Sequence, residues 1–275
     1  MKRARSIAGT LVLGLTLFAL WTLPQAARAF EGVVHTKKIT VVTMPMMGEQ
    51  RQESEETVYY KPGFFKVVDP ERENVTIVNL DKGLIWQIDL NKKTYFEMTF
   101  DQLAQMQEQA SAKMKEVQQR LQTQLQGMPE DKRQMLEQML GKGTMKALAQ
   151  GKLEFTWKST NEKQTISGYP CRKYIPLLNG EPIGEVWVTD KFNLGDDVSK
   201  YVQALRLFGK QSFASEPPFK GLPIKTVIDM QMGPSKTHSE STVVKVEEKS
   251  IPDSEFALPS GLKKVELPQG MPVEE

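Results

Sequence analysis

The stretch Leu84-Ile85-Trp86-Gln87-Ile88-Asp89-Leu90-Asn91-Lys92-Lys93-Thr94-Tyr95-Phe96-Glu97-Met98-Thr99-Phe100 decides the fold class. Side chains alternate across a strand, so Leu84, Trp86, Ile88 and Leu90 share one face. Phe96, Met98 and Phe100 share a face on the next strand, while Gln87, Asp89 and Glu97 point the other way. Asn91-Lys92-Lys93 is a short polar turn between them. Two half-buried antiparallel strands follow, in a sheet with one solvated side.

The same rhythm extends in both directions. Towards the N-terminus it predicts strands at Val33–Thr43, Thr57–Tyr60, Phe64–Asp69 and Val75–Asn79, separated by Met47-Gly48-Glu49, Lys61-Pro62-Gly63 and Asp81-Lys82-Gly83. Towards the C-terminus it predicts Leu153–Trp157, Gln164–Ile166, Cys171–Ile175, Gly184–Asp190, Ile224–Met232 and Ser241–Glu247, with a Gly233-Pro234 turn and a Pro-containing tail, Ile251–Leu267, along the surface. The strands show no βαβ rhythm, which argues against a parallel sheet.

Two segments break the pattern. Residues 101–150 carry no aromatic side chain, and Leu103, Met106, Ala110, Met114, Val117, Leu121 and Leu125 recur in steps of three and four. That spacing is one helical stripe. Asp101, or Thr99 with Gln102 as a capping box, starts it and Gly127 ends it, a helix of about 25 residues and roughly 38 Å. Pro129 opens a second helix through Leu140, closed by Gly141, and Thr144–Gln150 adds a short third. Later, Asp196 or Asp197 caps a helix over Val198–Phe208 whose face is Val198, Tyr201, Val202, Leu205 and Phe208. The expected fold is α+β: an incomplete antiparallel β-barrel of about eleven strands wrapped over helices, with a helical insertion at 101–150.

The N-terminus predicts the compartment. Lys2, Arg3 and Arg5 precede an apolar run from Ile7 to Leu23, then Pro24 and Ala27-Arg28-Ala29, a small-x-small cleavage site at Ala27 and Ala29. Residues 1–29 read as a secretory signal peptide, 30–268 as the folded domain and 269–275 as a flexible tail. A retained anchor is the competing reading, because the apolar run approaches the roughly 20 residues that span hydrocarbon. Cleavage takes away four basic residues and no acidic one, leaving 32 basic and 34 acidic, a formal charge of −2. A periplasmic or extracellular protein follows, with no transmembrane segment after signal removal and no electrostatic case for nucleic acid. Cys171 stands alone, so no intrachain disulfide forms.

Several stretches together resemble a known family: Tyr59-Tyr60-Lys61-Pro62-Gly63-Phe64-Phe65-Lys66-Val67, Trp86-Gln87-Ile88-Asp89-Leu90-Asn91-Lys92-Lys93-Thr94-Tyr95, Ile166-Ser167-Gly168-Tyr169-Pro170-Cys171-Arg172-Lys173-Tyr174, Gly184-Glu185-Val186-Trp187-Val188-Thr189-Asp190 and Phe256-Ala257-Leu258-Pro259-Ser260-Gly261-Leu262. They resemble a bacterial family of exported domains of unknown function in the superfamily of the outer-membrane lipoprotein carriers. The resemblance implies an incomplete barrel wrapping helices, with an apolar cavity for acyl chains. Its implied partner is a lipid or lipidated protein, and it implies no cofactor.

Catalytic groups are sparse. His35 and His238 are the only imidazoles and read as solvated strand residues. No His-Glu-x-x-His helix, Gly-x-Ser-x-Gly elbow or Cys/His ligand spacing is present. Gly141-Lys142-Gly143-Thr144 lacks the leading spacing of a phosphate loop and reads as a helix cap. Asp196-Asp197 and Glu55-Glu56 read as a cap and a strand neighbour rather than as acid–base pairs. Cys171 reads as buried filler. Seven of the 14 Met lie between Met98 and Met145, and Met44-Pro45-Met46-Met47 adds three more, so Cu(I) binding by thioethers is a minor alternative.

Aromatic residues carry the functional expectation. Trp86, Phe96, Phe155 and Trp157, with Val202, Leu205 and Phe208 of the later helix, are the expected ligand cavity. Met106, Met114, Val117 and Leu121 of the insertion are its expected lid. A filled core and an apolar pocket use the same alternation, so both readings stand. The first is a non-enzymatic periplasmic binding protein holding an acyl chain, lipid or lipidated protein. The second is a structural or regulatory protein-interaction module of the cell envelope with a filled core.

Overall fold

The computed structural model describes residues 29–44, 47–106, 155–197, 199–200, 216–232 and 235–266, with the single positions 108, 116, 119, 120, 123, 129 and 132. The described residues form one sheet of 13 strands. In chain order these are β1 (Gly32–Met44), β2 (Gly48–Lys61), β3 (Phe64–Asp69), β4 (Asn74–Asn79), β5 (Leu84–Asp89), β6 (Thr94–Thr99), β7 (Phe155–Ile166), β8 (Tyr169–Leu178), β9 (Glu181–Pro182), β10 (Gly184–Asn193), β11 (Gly221–Met232), β12 (Ser235–Glu248) and β13 (Lys263–Lys264). Since β9 and β13 have two residues each, eleven longer strands build the sheet.

Spatial order runs β13-β6-β5-β4-β3-β2-β1-β12-β11-β10-β8-β7, with β9 on β8. All pairs are antiparallel except β13 with β6. The chain leaves the sheet after β6, near one edge, and re-enters it in β7, at the other. No pairing joins those edges among the described residues, so the barrel is incomplete. The hydroxyl of Ser167, at the β7–β8 turn, donates to the Val243 carbonyl of β12 at 2.6 Å. Sheet order separates β8 from β12 by two strands, so this contact requires the sheet to curl, and the face bearing it is concave.

That face is packed in two connected parts. One gathers Phe30, Val34, Val186, Phe192, Phe219, Leu222, Ile224 and Val243. The other gathers Phe65, Val78, Ile85 and Met98 under Leu103 of the helix that starts at residue 100. Tyr60 packs against both.

The helix begins as its sequence predicts. The Thr99 amide donates to Gln102 Oε1 at 2.9 Å and the Gln102 amide to Thr99 Oγ1 at 3.1 Å, a reciprocal capping box. Thr99→Ala is expected to lower the unfolding free energy by about 0.5–2 kcal/mol in urea titration, because an amide of the first turn loses its acceptor. Residues 101–106 are helical, as are positions 116, 119, 120 and 123. The other residues of the insertion, apart from positions 108, 129 and 132, lie outside the described residues, as do 198, 201–208 and 1–28; positions 197, 199 and 200 are helical.

Four expectations are corrected. The sheet has no solvated side at β3–β6: Val33, Val75, Ile77 and Ile88 are buried on the convex face under Ile251 and Phe256, with Leu258 and Leu262 beside them. The tail is therefore part of the core rather than a surface strap; apolar side chains at four of its positions fill the sheet's outer pleat. Strand β2 starts at Gly48, not at Thr57. Its polar N-terminal half needs no apolar pattern, because it is held by backbone pairing to β1 and has no buried residue before Val58. Residues 155–166 form one strand instead of two, with an irregularity between Ser159 and Lys163. Thr160 Oγ1 bonds the Lys173 carbonyl there at 2.9 Å, bridging the gap.

Gly63 ends the β2–β3 turn at φ +81°, a conformation natural to Gly after Pro62. Its amide donates to Asp197 Oδ2 at 2.8 Å, linking the β2–β3 turn to the segment after β10.

Candidate functional site

Register alone places the expected cavity residues. Trp86 pairs with Glu97, and Phe96 pairs with Gln87. Directly paired residues share a face, so Trp86 and Phe96 stand on opposite faces. Trp86 lies on the convex face, its indole N–H donating to Glu97 Oε2 at 2.8 Å, next to the C-terminal tail. Phe96 packs on the concave side against the Phe65–Leu103 group. Phe155 is buried, and Trp157 meets Phe219 edge-on at 5.5 Å within the concave core. The structure thus places Phe96, Phe155 and Trp157 on the inner side of the sheet, with Phe96 and Trp157 in different packing groups, and puts Trp86 on the other side. Val202, Leu205 and Phe208 lie outside the described residues. So do Met114, Val117 and Leu121, whereas Met106 is exposed. Ala29 is half-buried; Ala27 lies outside the described residues.

The concave face changes character along its strands. Below Thr36 it is filled, with Val34, Val58 and Val243 buried. Beyond that level, the two long hairpins β1–β2 and β11–β12 continue as a ribbon in the order β2-β1-β12-β11, with β10 still paired to β11 as far as Ile228. Pairing puts Lys38 between Ser54 and Ser241, Thr40 between Gln52 and Ser239, and Val42 between Gln50 and Thr237. On the far strand Thr226, Ile228 and Met230 pair with Ser241, Ser239 and Thr237. This stretch of inner face is half-buried on β1, β11 and β12. It is a platform of hydroxyls with Val42, Ile228 and Met230 at its outer end. Arg51, Glu49, Glu53 and Glu55 of β2 project from the opposite face, so the alternation of charged with neutral polar residues in 49–55 was the signal that could have marked this strand.

The convex face of the ribbon is charged and internally paired. Lys37 meets Glu53 at 2.8 Å, Lys225 meets Glu240 at 3.0 Å and His238 meets Asp229 at 2.7 Å. A shallow cleft of about 240 Å³ there is lined by Lys37, Glu53, Ser54, Glu55, Pro70 and Glu71. His35 lies between Thr57 Oγ1 at 3.2 Å and Glu247 Oε1 at 3.3 Å. It is therefore a hydrogen-bonded half-buried residue instead of a solvated one. Among the described residues no group of three or more His, Cys, Asp or Glu is placed to hold a metal ion. Cys171 is buried in the concave core, and that burial pushes its thiol above the ordinary value.

Hydrogen bonds from Lys245 and Lys249 hold the Glu247 carboxyl at about 2, below its ordinary 4.5. A depressed folded-state value stabilises the fold at pH above the unfolded value, and that contribution fades as pH falls from 4.5 towards 2. Glu247→Gln is expected to flatten this part of the stability profile between pH 4.5 and 2, read by thermal melts across that range.

In comparison with known proteins, no curated protein matches the chain. Among solved structures, it is similar to an uncharacterised conserved protein of Thermus thermophilus at 7% identity, covering 84% of this chain and 90% of that one with a TM-score of 0.39. It is also similar to a LolA superfamily protein of Nitrosomonas europaea, at 8% identity over 84% of this chain and 93% of that one, TM-score 0.31. A putative outer membrane lipoprotein-sorting protein domain of Vibrio parahaemolyticus aligns at 7% identity over 82% and 89%, TM-score 0.28. Residues 74–262, more than half of the chain and reaching from β4 to the tail that covers the convex face, match one family throughout, and the chain belongs to the family described as a domain of unknown function, DUF4412.

Proposed function

We propose that this protein is a non-enzymatic, exported binding protein that holds an acyl chain, a lipid or the lipidated end of another protein against the concave face of its sheet. One observation carries the reading: the inner face is packed at one end and continues as a half-buried platform at the other, where Val42, Ile228 and Met230 offer apolar surface beyond the platform's hydroxyls. An alkyl chain laid there gains hydrophobic burial without displacing a core residue. The basic, apolar and small-x-small order of residues 1–29 supports export. No helix among the described residues is long and apolar enough to cross a membrane. Native mass spectrometry of protein purified from its own periplasm tests the reading. Co-purifying lipid is the expected result; repeated absence of lipid together with no binding of a fatty-acid probe would sink it.

The second reading, an envelope interaction module, is favoured by the ribbon's other face. Ile39 and Val41 form a short apolar strip along β1 there, flanked by Glu53 and Arg51 on β2 and by Glu240 and His238 on β12, with Val227 beyond Glu240. An apolar centre with a polar rim is the composition of a protein interface. Crosslinking in intact cells separates the two, since this version gives protein adducts on that strip and no lipid.

A further inference from the structure

Lys38 is the cation that register places on the concave side of the ribbon, in the middle of its hydroxyl platform. Ser54 and Ser241 are its direct cross-strand partners, and Thr36 and Thr40 flank it on its own strand. Cross-strand pairs lie about 5 Å apart at Cβ and same-face neighbours along a strand about 7 Å, so a lysine here is ringed by hydroxyl donors. Its ion-pair partner among the described residues is Glu56, at 3.7 Å, beyond hydrogen-bond length. The lysines of the convex side are held much closer: Lys37 to Glu53 at 2.8 Å, Lys66 to Glu255 at 2.7 Å and Lys245 to Glu247 at 2.7 Å. Lys38 is thus loosely tied to Glu56, partly sheltered and set among neutral hydroxyls, while these convex lysines sit in short ion pairs. Apolar side chains bracket it, with Val34 and Val243 below and Val42 with Ile228 above.

We propose that Lys38, with the hydroxyls of Thr40, Ser54, Ser239 and Ser241, is the seat for an anionic head, a carboxylate or a phosphate, whose alkyl chain runs over Val42, Ile228 and Met230. This inference rests on the acyl-binding reading and gives it a substrate class: acidic amphiphiles rather than neutral ones. The ammonium supplies a charge-assisted hydrogen bond, and the surrounding Ser and Thr hydroxyls donate to the remaining anion oxygens. Glu56 is the competing anion, which the ligand's head displaces from Lys38.

The test uses the mature chain from residue 30, with four probes: cis-parinaric acid, its methyl ester, and short-chain phosphatidylglycerol and phosphatidylcholine. Wild-type protein should prefer the acid to the ester and phosphatidylglycerol to phosphatidylcholine. Lys38→Met should weaken binding of the two acidic probes about tenfold or more, in line with the loss of a hydrogen bond to a charged group, and leave the ester nearly unchanged. Glu56→Gln, which removes the competitor and keeps the shape, should tighten the acidic probes. That gain keeps the test decisive if Lys38→Met folds poorly, and Lys38→Arg should retain the preference for acid. A preference for the acid without one for phosphatidylglycerol assigns the seat to free carboxylates, and the reverse assigns it to phospholipid heads. Equal binding of acid and ester by wild type overturns the anion seat while leaving acyl binding intact. Binding of none of the four probes overturns the acyl reading itself.

Discussion

Phe256→Ala is expected to cost about 3–5 kcal/mol of unfolding free energy, although the residue sits in a Pro-rich tail. Phe256 is 3% exposed and packs on Phe64 with ring centroids 5.1 Å apart. Ile77 and Ile88, both 0% exposed, belong to the same cluster. Truncation would leave a void against strands that cannot close over it, since their other face is committed to the concave core. Three polar clamps hold the segment in register, so collapse into the void is also restricted. The Ile251 amide donates to Glu31 Oε1 at 2.7 Å, Lys61 Nζ meets Asp253 Oδ1 at 2.6 Å, and Lys66 Nζ meets Glu255 Oε2 at 2.7 Å. Set against the roughly 5–15 kcal/mol of a typical domain, the loss is a large share of the whole. Urea unfolding measures it, with Met106→Ala as the exposed control expected within about 0.5 kcal/mol of wild type. A loss below about 1 kcal/mol for Phe256→Ala would return the tail to the surface.

The other large effect is expected at Phe65→Ala, again about 3–5 kcal/mol. Phe65 is 2% exposed, stands edge-on to Tyr60 at 5.2 Å and is packed with Val78, Ile85, Met98 and Leu103. Its neighbour Tyr60 also lies 5.8 Å from Phe30, which in turn lies 5.0 Å from Phe192. The two halves of the concave core therefore communicate through one ring. A double-mutant cycle of Phe30→Leu with Phe65→Leu should show a coupling of about 0.5 kcal/mol or more, transmitted through Tyr60. Strict additivity would mean that the halves are energetically independent and that the inner face is two cores meeting at a seam.

The sequence was legible wherever a pattern is local. A capping box needs only Thr99 and Gln102, three residues apart, and it forms as read. The Pro62-Gly63 turn has the same origin, since Pro presets one φ and Gly permits the positive one that follows. The Leu84–Phe100 alternation correctly announced two antiparallel strands, and Cys171 is buried as expected of a small apolar filler. Strand β2 was shorter in the reading because its first nine residues carry no apolar signal. Their strand character comes from β1, a partner supplied by a hairpin rather than by their own side chains.

Composition and short-range order, without any coordinates, led to an α+β fold with an incomplete antiparallel β-barrel of about eleven strands wrapped over helices, and the described residues form one open, mostly antiparallel sheet of 13 strands, two of them only two residues long. Tertiary structure alone decided what each face of the sheet meets. Alternation assigns residues to two sides but does not say which is inner, and a one-residue offset between neighbouring strands exchanges them. Trp86 and Phe96 show this, because each lies in an apolar-looking run and the pairing of Trp86 with Glu97 puts them on opposite sides. The same holds for Lys38, whose place among Ser54, Ser241 and Thr40 depends on partners distant in the chain. The burial of the convex face likewise depends on a segment nearly two hundred residues from the strands it covers, brought there by pairing of β12 with β1. Such contacts are set by long-range register, whose free energy comes from packing and backbone pairing realised only once the sheet has assembled.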